Sequence, residues 1–217
     1  MPSPSPTAAT PWRPFIAESV AGLLTGADVR WWLSGGVALD RWLGHGIRPR
    51  RNIDVSVVAR DLAALVGSLP DGFSAWIETE DDALVALTAA DADADVQAVR
   101  ILDDTAEAWV LQVNVEDGAP RAWVYKRDPR LTLPWASAVL DVDGVPTGAP
   151  EVQLVWKALR PRPEDDIDKD AVLPRLDERA RSWYERAILS IHPHSSWSIH
   201  VRSPHAPAKA SWNRRKS

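Results

Sequence analysis

The residues Ser34-Gly35-Gly36 lie where a β-prone segment, Val29 to Leu33, meets a segment whose apolar positions indicate a helix. Glycine leaves backbone N–H groups unshielded, and a helix N-terminus carries a partial positive charge that attracts anions. This pattern is compatible with a phosphate-binding turn. A tight turn that holds no ligand is the alternative from these residues alone.

A second polar position begins the apolar stretch Ile53 to Val58, which is typical of a short buried strand. Asp54 is its acidic residue, and a carboxylate there needs a partner or a cation because burial of an unpaired charge is costly. Asn52 precedes it by two residues, and Arg50 and Arg51 come just before. These side chains are candidates for binding a ligand together with Asp54.

A third group of polar residues lies on the predicted strand Trp109 to Val115 and at its end. Side chains alternate between the two faces of a strand, so Gln112, Asn114 and Glu116 share one face. Two of the three are neutral amides, and only Glu116 can act as a general base.

Several short motifs together resemble the nucleotidyltransferase superfamily, and specifically its aminoglycoside adenylyltransferase-like branch. They are Gly-Gly followed by Ala-Leu-Asp, then Arg-Pro, then Ile-Asp-Val, and later Ala-Pro-Glu-Val-Gln-Leu at 149–154. The resemblance implies that Ser34, Gly35 and Gly36 hold nucleotide phosphates. It also implies that Asp40, at the end of Ala-Leu-Asp, and Lys157, beside the last motif, line the nucleotide or ligand site.

The resemblance further implies an Asp-x-Asp pair that binds Mg²⁺, at positions 52 and 54. Here the pair is Asn52 and Asp54. Mg²⁺ favours carboxylate oxygens, and an amide oxygen is neutral, so we expect metal binding at Asp54 to be weak or absent. The resemblance places the family's third carboxylate within 111–116, where Gln112, Asn114 and Glu116 are open alternatives. Gln112 and Glu116 are the catalytic candidates beside Asp54.

The fold that these motifs imply is a mixed α/β (α+β) fold of the nucleotidyltransferase type, a mixed sheet flanked by helices and followed by a small C-terminal helical unit. We expect an α/β domain over residues 12–148 and the helical unit over 149–197. Residues 1–11 and 198–217 are predicted to be disordered from their composition. Leu84 to Leu87, inside the acidic stretch 78–95, is either a short strand or part of a lid, and a solvated loop is favoured.

Composition excludes several classes of site and partner. The chain has no cysteine, so thiolate catalysis and thiolate metal sites are excluded. Outside the basic segment 198–217 the chain carries 20 basic and 30 acidic side chains, which argues against nucleic-acid binding. No stretch is apolar enough to span a membrane, and nothing resembles a secretory signal, so we expect a cytoplasmic protein.

These observations lead to two hypotheses for function. The first is a nucleotidyltransferase fold with a degenerate metal site, repurposed for metal-independent chemistry on, or binding of, a small-molecule ligand. The alternative is an active Mg²⁺-dependent enzyme that transfers AMP from ATP to a hydroxyl of an aminoglycoside-like substrate. Mg²⁺ and ATP are cofactors only under the alternative.

Overall fold

The structure is a computed structural model that describes residues 5–7, 9–92 and 95–202. The chain divides into two compact units, Met1–Ala149 and Pro150–Ser217. Most of the two segments predicted to be disordered lies outside the described residues. No helix in the described part is both long and apolar enough to cross a bilayer.

The described residues of the first unit form a mixed sheet with helices. Its strands are β1 (Trp31–Ser34), β2 (Asp54–Val58), β3 (Phe73–Glu78), β4 (Leu84–Leu87), β5 (Ala98–Asp103), β6 (Ala108–Ala119), β7 (Ala122–Val124), β8 (Thr132–Pro134), β9 (Val139–Val142) and β10 (Val145–Gly148). Its α-helices are α1 (Ala17–Leu24), α2 (Gly35–Leu43), α3 (Leu62–Gly67) and α4 (Trp135–Ala138).

The main sheet has the strand order β4-β3-β5-β6-β2-β1-β10-β9, and β7 and β8 branch from the end of β6. Strand β2 runs parallel to β6, and β1 runs parallel to β10, while the other pairs are antiparallel. The predicted mixed α/β architecture is therefore confirmed. The central position of β2 places its side chains between those of β1 and β6.

One face of the sheet is apolar because the central strands alternate apolar and polar residues. Leu33, Val55, Val57, Val113 and Val115 are buried on that face, where they belong to one hydrophobic cluster. The helices α1 and α3 contribute further buried side chains, Val20, Leu24, Leu62 and Leu65. Burial of each large aliphatic side chain contributes about 1.5–3 kcal/mol, so this face anchors the strands that carry the polar residues.

Two local predictions for the first unit are corrected. The favoured solvated loop at Leu84 to Leu87 is wrong and the strand alternative is correct, because the backbone there pairs with β3 in the register Ile77 to Val85. Residue 11, at the end of the segment predicted to be disordered, is also paired: the Trp109 N–H donates to the Pro11 carbonyl at 2.9 Å.

The second unit is helical in its described part. Its α-helices are α5 (Pro150–Ala158), α6 (Pro163–Val172), α7 (Glu178–Ile191) and α8 (Ser196–Arg202). The predicted helical unit is thus made of four α-helices in its described part, with a 3-10 turn, Leu173–Arg175, directly after α6. Helix α8 extends into the segment 198–217 that composition predicts to be disordered.

Candidate functional site

The glycine turn connects β1 to α2 and requires glycine for two reasons. Gly35 adopts a φ of +63°, in the left-handed region that other residues rarely occupy. A Cβ on Gly35 would lie 2.5 Å from Oδ2 of Asp54, closer than any real Cβ contact. The Asp54 carboxylate therefore rests against the turn, at the N-terminal end of α2 where a negative charge is favourable.

The neighbouring glycine makes a similar close contact with an arginine. A Cβ on Gly36 would lie 2.5 Å from a terminal nitrogen of Arg50. The guanidinium is held in place by Asp40, to which Nε donates at 2.7 Å and Nη2 at 2.6 Å. The Asp40 and Arg50 side chains are only 15% and 12% exposed. Arg50 thus covers the second glycine of the turn.

Asp40 has a further structural partner, the backbone N–H of Ile47, which donates to Oδ1 at 3.0 Å. Asp40 and Arg50, both predicted to bind ligand, therefore bind each other, and Asp40 also fixes the loop after α2. Arg51 does not take part in this network. It is exposed, and its side chain forms no hydrogen bond or ion pair with the described residues.

Asn52 and Asp54 are directly bonded to each other. The Asn52 amide Nδ2 donates to Oδ1 of Asp54 at 2.7 Å. An ionised carboxylate only accepts hydrogen bonds, so the amide must present its NH₂ group to it. The group that Asn52 presents to Asp54 is therefore a hydrogen-bond donor, and not an oxygen that could share a cation with Asp54.

The strand register places Asp54 in a row of polar side chains. Asp54 pairs with Ser34 of β1 on one side and with Gln112 of β6 on the other, and Gln112 pairs with Arg100 of β5. Paired residues share a face of the sheet. We call these four residues, Ser34, Asp54, Gln112 and Arg100, the polar row; Asp54 is its one carboxylate.

A second pair of polar residues lies next to the polar row on the same face. Asn114 pairs with Ser56, accepts a hydrogen bond from Gln112 at 3.0 Å, and donates to Ser34 at 3.5 Å. The hydroxyl of Ser56 is fully buried and has no hydrogen-bond partner among the described residues. Ser56 was absent from the predicted site, although it is two residues from Asp54 and alternation alone places both on one face.

Glu116 lies at the far end of this face. It pairs with Val58, four residues along β2 from Asp54, whereas Gln112 lies opposite Asp54. The Glu116 carboxylate is 4% exposed and accepts a hydrogen bond from the Trp123 indole at 2.6 Å. Of the two predicted catalytic partners of Asp54, the structure therefore brings Gln112 beside it and leaves Glu116 at a distance.

The side chains around Glu116 are aromatic and buried. Tyr125 is fully buried and its ring lies 6.0 Å from that of Trp123. Burial raises the pKa of Tyr125 to about 12, with a further rise from the Glu116 charge that is opposed by Arg127. The Glu116 carboxylate is thus packed among aromatic side chains and is not an accessible catalytic group.

Lys157 belongs to the second unit, where it forms a buried ion cluster. Its ammonium lies 2.6 Å from Asp165 and 3.1 Å from Asp168, both on α6. Burial alone would raise the pKa of Asp165, but hydrogen bonds from Arg162 and Lys157 outweigh it and hold that pKa below its usual range. The observed contacts of Lys157 are thus with its own helical unit.

No group of three or more histidine, aspartate or glutamate side chains in the described ranges is arranged to hold a metal ion. The oxygen atoms available near the glycine turn come from the Asp54 carboxylate and from neutral side chains, namely Ser34, Asn52, Gln112 and Asn114.

Comparison with known proteins places this site in a family. Residues 17–128 match the family described as Aminoglycoside-2''-adenylyltransferase. A crystal structure of ANT(2")-Ia in complex with adenylyl-2"-tobramycin is similar at a TM-score of 0.46 and 15% identity, over 88% of this chain and 98% of that one. A solution structure of ANT(2'')-Ia gives a TM-score of 0.42 and 16% identity, over 92% and 97%.

No curated protein matches the chain. The family match alone spans more than half of the chain, and it includes the glycine turn, Asp54 and the strand with Gln112. The chain therefore belongs to the aminoglycoside-2''-adenylyltransferase family.

Proposed function

We propose that this family member uses its cleft for metal-independent binding of, or chemistry on, a small molecule, and that its metal site is degenerate. The observation that carries the proposal is the hydrogen bond from the Asn52 amide to Oδ1 of Asp54 at 2.7 Å. A second carboxylate at position 52 would share a divalent cation with Asp54. The amide instead binds Asp54 through its own N–H.

The donor set near the glycine turn supports this proposal. Mg²⁺ is bound by oxygen ligands in octahedral geometry and depends on carboxylates for much of its affinity. The polar row offers one carboxylate, and its neighbours on β6 are the amides of Gln112 and Asn114. These residues do not fit a two-carboxylate metal site, and we derive no catalytic step through a metal.

The contacts at the two glycines also support it. In a phosphate-binding turn the exposed backbone N–H groups meet the ligand anion. Here a carboxylate oxygen of Asp54 lies against Gly35, and the Arg50 guanidinium lies against Gly36. A nucleotide phosphate would have to displace or share these groups, which are fixed by Asn52 and Asp40.

The neutral side chains in and beside the polar row indicate what kind of group this face of the sheet binds. Amides and hydroxyls both donate and accept hydrogen bonds, and they suit neutral polar groups of a ligand better than a polyphosphate. Ser34, Gln112 and Asn114 supply such groups side by side. The small molecule is therefore expected to present hydroxyl, amide or carbonyl groups to this face.

Family membership favours one alternative, an active Mg²⁺-dependent enzyme that transfers AMP from ATP to an aminoglycoside hydroxyl. Metal clamps supply much of the electrostatic stabilisation in phosphoryl transfer, so the neutral residue at position 52 would remove a large part of the rate.

An adenylyl-transfer assay distinguishes the two functions. Purified protein is incubated with ATP, Mg²⁺ and tobramycin, and formation of adenylylated tobramycin is followed by mass spectrometry with and without EDTA. We expect no product above the enzyme-free background. Product that forms with Mg²⁺ and is abolished by EDTA would establish the alternative and overturn the proposal.

A further inference from the structure

A cavity lies at the end of β2 that is opposite the glycine turn. It has a volume of about 610 Å³, within the size range of sites that bind small molecules. Val58 and Ala59 line it at the end of β2, and Gly118 and Ala119 line it at the end of β6. The two strands are parallel, so the cavity lies beyond the carboxyl ends of both, where ligands commonly bind in open α/β sheets.

This cavity is separate from the polar row. Val58 is four residues beyond Asp54 on the same strand, a distance of about 13 Å at the usual rise of an extended chain. Buried Glu116, which pairs with Val58, lies on the strand between Gln112 and the cavity. A ligand in the cavity would therefore not touch the glycine turn, and this inference does not depend on the proposed function.

Two opposite charges line the cavity and do not pair with each other. Asp117 is half-buried, and its carboxylate forms no hydrogen bond or ion pair with any described residue. Arg60 forms an ion pair with Asp61 alone among the described residues, at 3.5 Å, and its side chain is 54% exposed. No ion pair within 4.0 Å joins Arg60 to Asp117. The cavity lining therefore includes one carboxylate that can bind a cationic group and one guanidinium that can bind an anionic group.

The remaining walls are small and apolar. Ala59, Ala63 and Ala119 leave the space open. Gly118 is required by the packing beneath it, since a Cβ there would lie 2.8 Å from the Trp135 ring. Trp135 is itself fixed by a hydrogen bond from its indole to the Ala119 carbonyl at 2.9 Å. Trp135 is thus held against Gly118 and Ala119, and the small alanine side chains leave room for a short apolar group.

We propose that this cavity binds a small zwitterion of the amino-acid class. The ligand's ammonium group pairs with Asp117, its carboxylate pairs with Arg60, and its short apolar body lies against the alanine walls. A ligand with only one of the two charges leaves one cavity group without its counter-charge, so both charges contribute to recognition.

Isothermal titration calorimetry with three probes of one shape tests the proposal. The probes are L-leucine, 3-methylbutylamine, which lacks the carboxylate, and 4-methylpentanoate, which lacks the ammonium. We expect L-leucine to bind with a Kd below ~1 mM and each single-charge analogue to bind at least about tenfold more weakly. Absence of L-leucine binding, or equal binding of an analogue, would overturn the proposal.

Variants of the full chain locate the binding. Asp117→Asn and Arg60→Gln should each weaken L-leucine binding by about tenfold, and Ala63→Leu should abolish it by filling the cavity. The matched controls Asp81→Asn and Arg13→Gln change exposed charges outside the cavity and should bind like the parent. Binding that is unaffected by all three cavity variants would contradict the site. Asp117-dependent binding of tobramycin that is tighter than that of L-leucine would assign the cavity to a polycation instead.

Discussion

Asp54 and Asp165 are carboxylates held by nitrogen donors from nearby in the sequence, but the donors differ in charge. Asp54 accepts from the neutral amide of Asn52, whereas Asp165 accepts from the cations Arg162 and Lys157. A cation neutralises the carboxylate that it binds, and an amide orients a carboxylate without cancelling its charge. In the ion cluster of the helical unit the carboxylate is thus bound by cations, whereas at the glycine turn a neutral amide holds one oxygen of Asp54.

Burial also distinguishes the two carboxylates, because Asp54 is only partly buried. In the ion cluster, Asp168 is fully buried and Asp165 nearly so, and Lys157 bridges them. Such a cluster stabilises the fold only while it is complete, because each charge depends on the others.

The largest expected effect is that of Lys157→Met, which leaves two buried carboxylates without their shared cation. We expect a loss of about 3–5 kcal/mol in the free energy of unfolding, measured by urea denaturation. Lys169→Met is the matched control, because Lys169 pairs with the exposed acids Asp166 and Asp170 and should cost no more than about 1 kcal/mol. Equal losses in both variants would refute the distinction between a lysine that pairs with buried acids and one that pairs with exposed acids.

An intermediate effect is expected for Arg50→Met. The variant removes the two hydrogen bonds to partly buried Asp40 and uncovers Gly36. The two bonds belong to a single bidentate ion pair, and a hydrogen bond to a charged group contributes about 1.5–3 kcal/mol, so we expect a loss of about 2–3 kcal/mol in the free energy of unfolding. The exposed neighbour provides the control, and Arg51→Met should change stability by less than about 0.5 kcal/mol. A reversed order would show that Arg50 does not support the turn.

Parts of the fold and of the site could be predicted from local sequence. The glycine turn, the αL positions of Asp143-Gly144 in the hairpin between β9 and β10, and helix α7 all follow from short-range signals. The pairing of Gln112 with Asp54 could not, because a parallel register is set by packing between segments far apart in sequence.

Long-range contacts also decide features that the local pattern leaves open. Helix α6 is rich in acidic residues, and the sequence does not indicate that its Asp165 and Asp168 are buried against Lys157 of α5. Strand β4 carries few strand signals and forms because β3 offers it an edge. In both cases the partner that decides the structure lies outside the local sequence pattern.

A smaller effect is expected in the dependence of stability on pH, through one tyrosine in each unit. The chain has two tyrosines, Tyr125 and Tyr184, and burial raises the pKa of both, that of Tyr125 to about 12. Both phenols are therefore neutral in the folded state at pH 10. Their contribution to stability is present below the unfolded pKa of about 10 and is lost as pH rises above it.

Absorbance at 295 nm tests this expectation. We expect no tyrosinate signal from the folded chain at pH 10.5 or so, and a signal from both phenols at a pKa of about 10 when the chain is unfolded in guanidinium. Ionisation of one tyrosine at about pH 10 without unfolding would show that its surroundings are less buried than the structure indicates.

The most direct test of the central proposal is titration of the protein with Mn²⁺ by calorimetry, for the parent, Asn52→Asp and the control Gln97→Glu. Asn52→Asp restores a second carboxylate beside Asp54, whereas Gln97→Glu adds the same charge at an exposed position outside the polar row. We predict that the parent and the control bind Mn²⁺ no tighter than ~1 mM and that Asn52→Asp binds at least about tenfold tighter. Micromolar binding by the parent that is lost in Asp54→Asn would contradict the account.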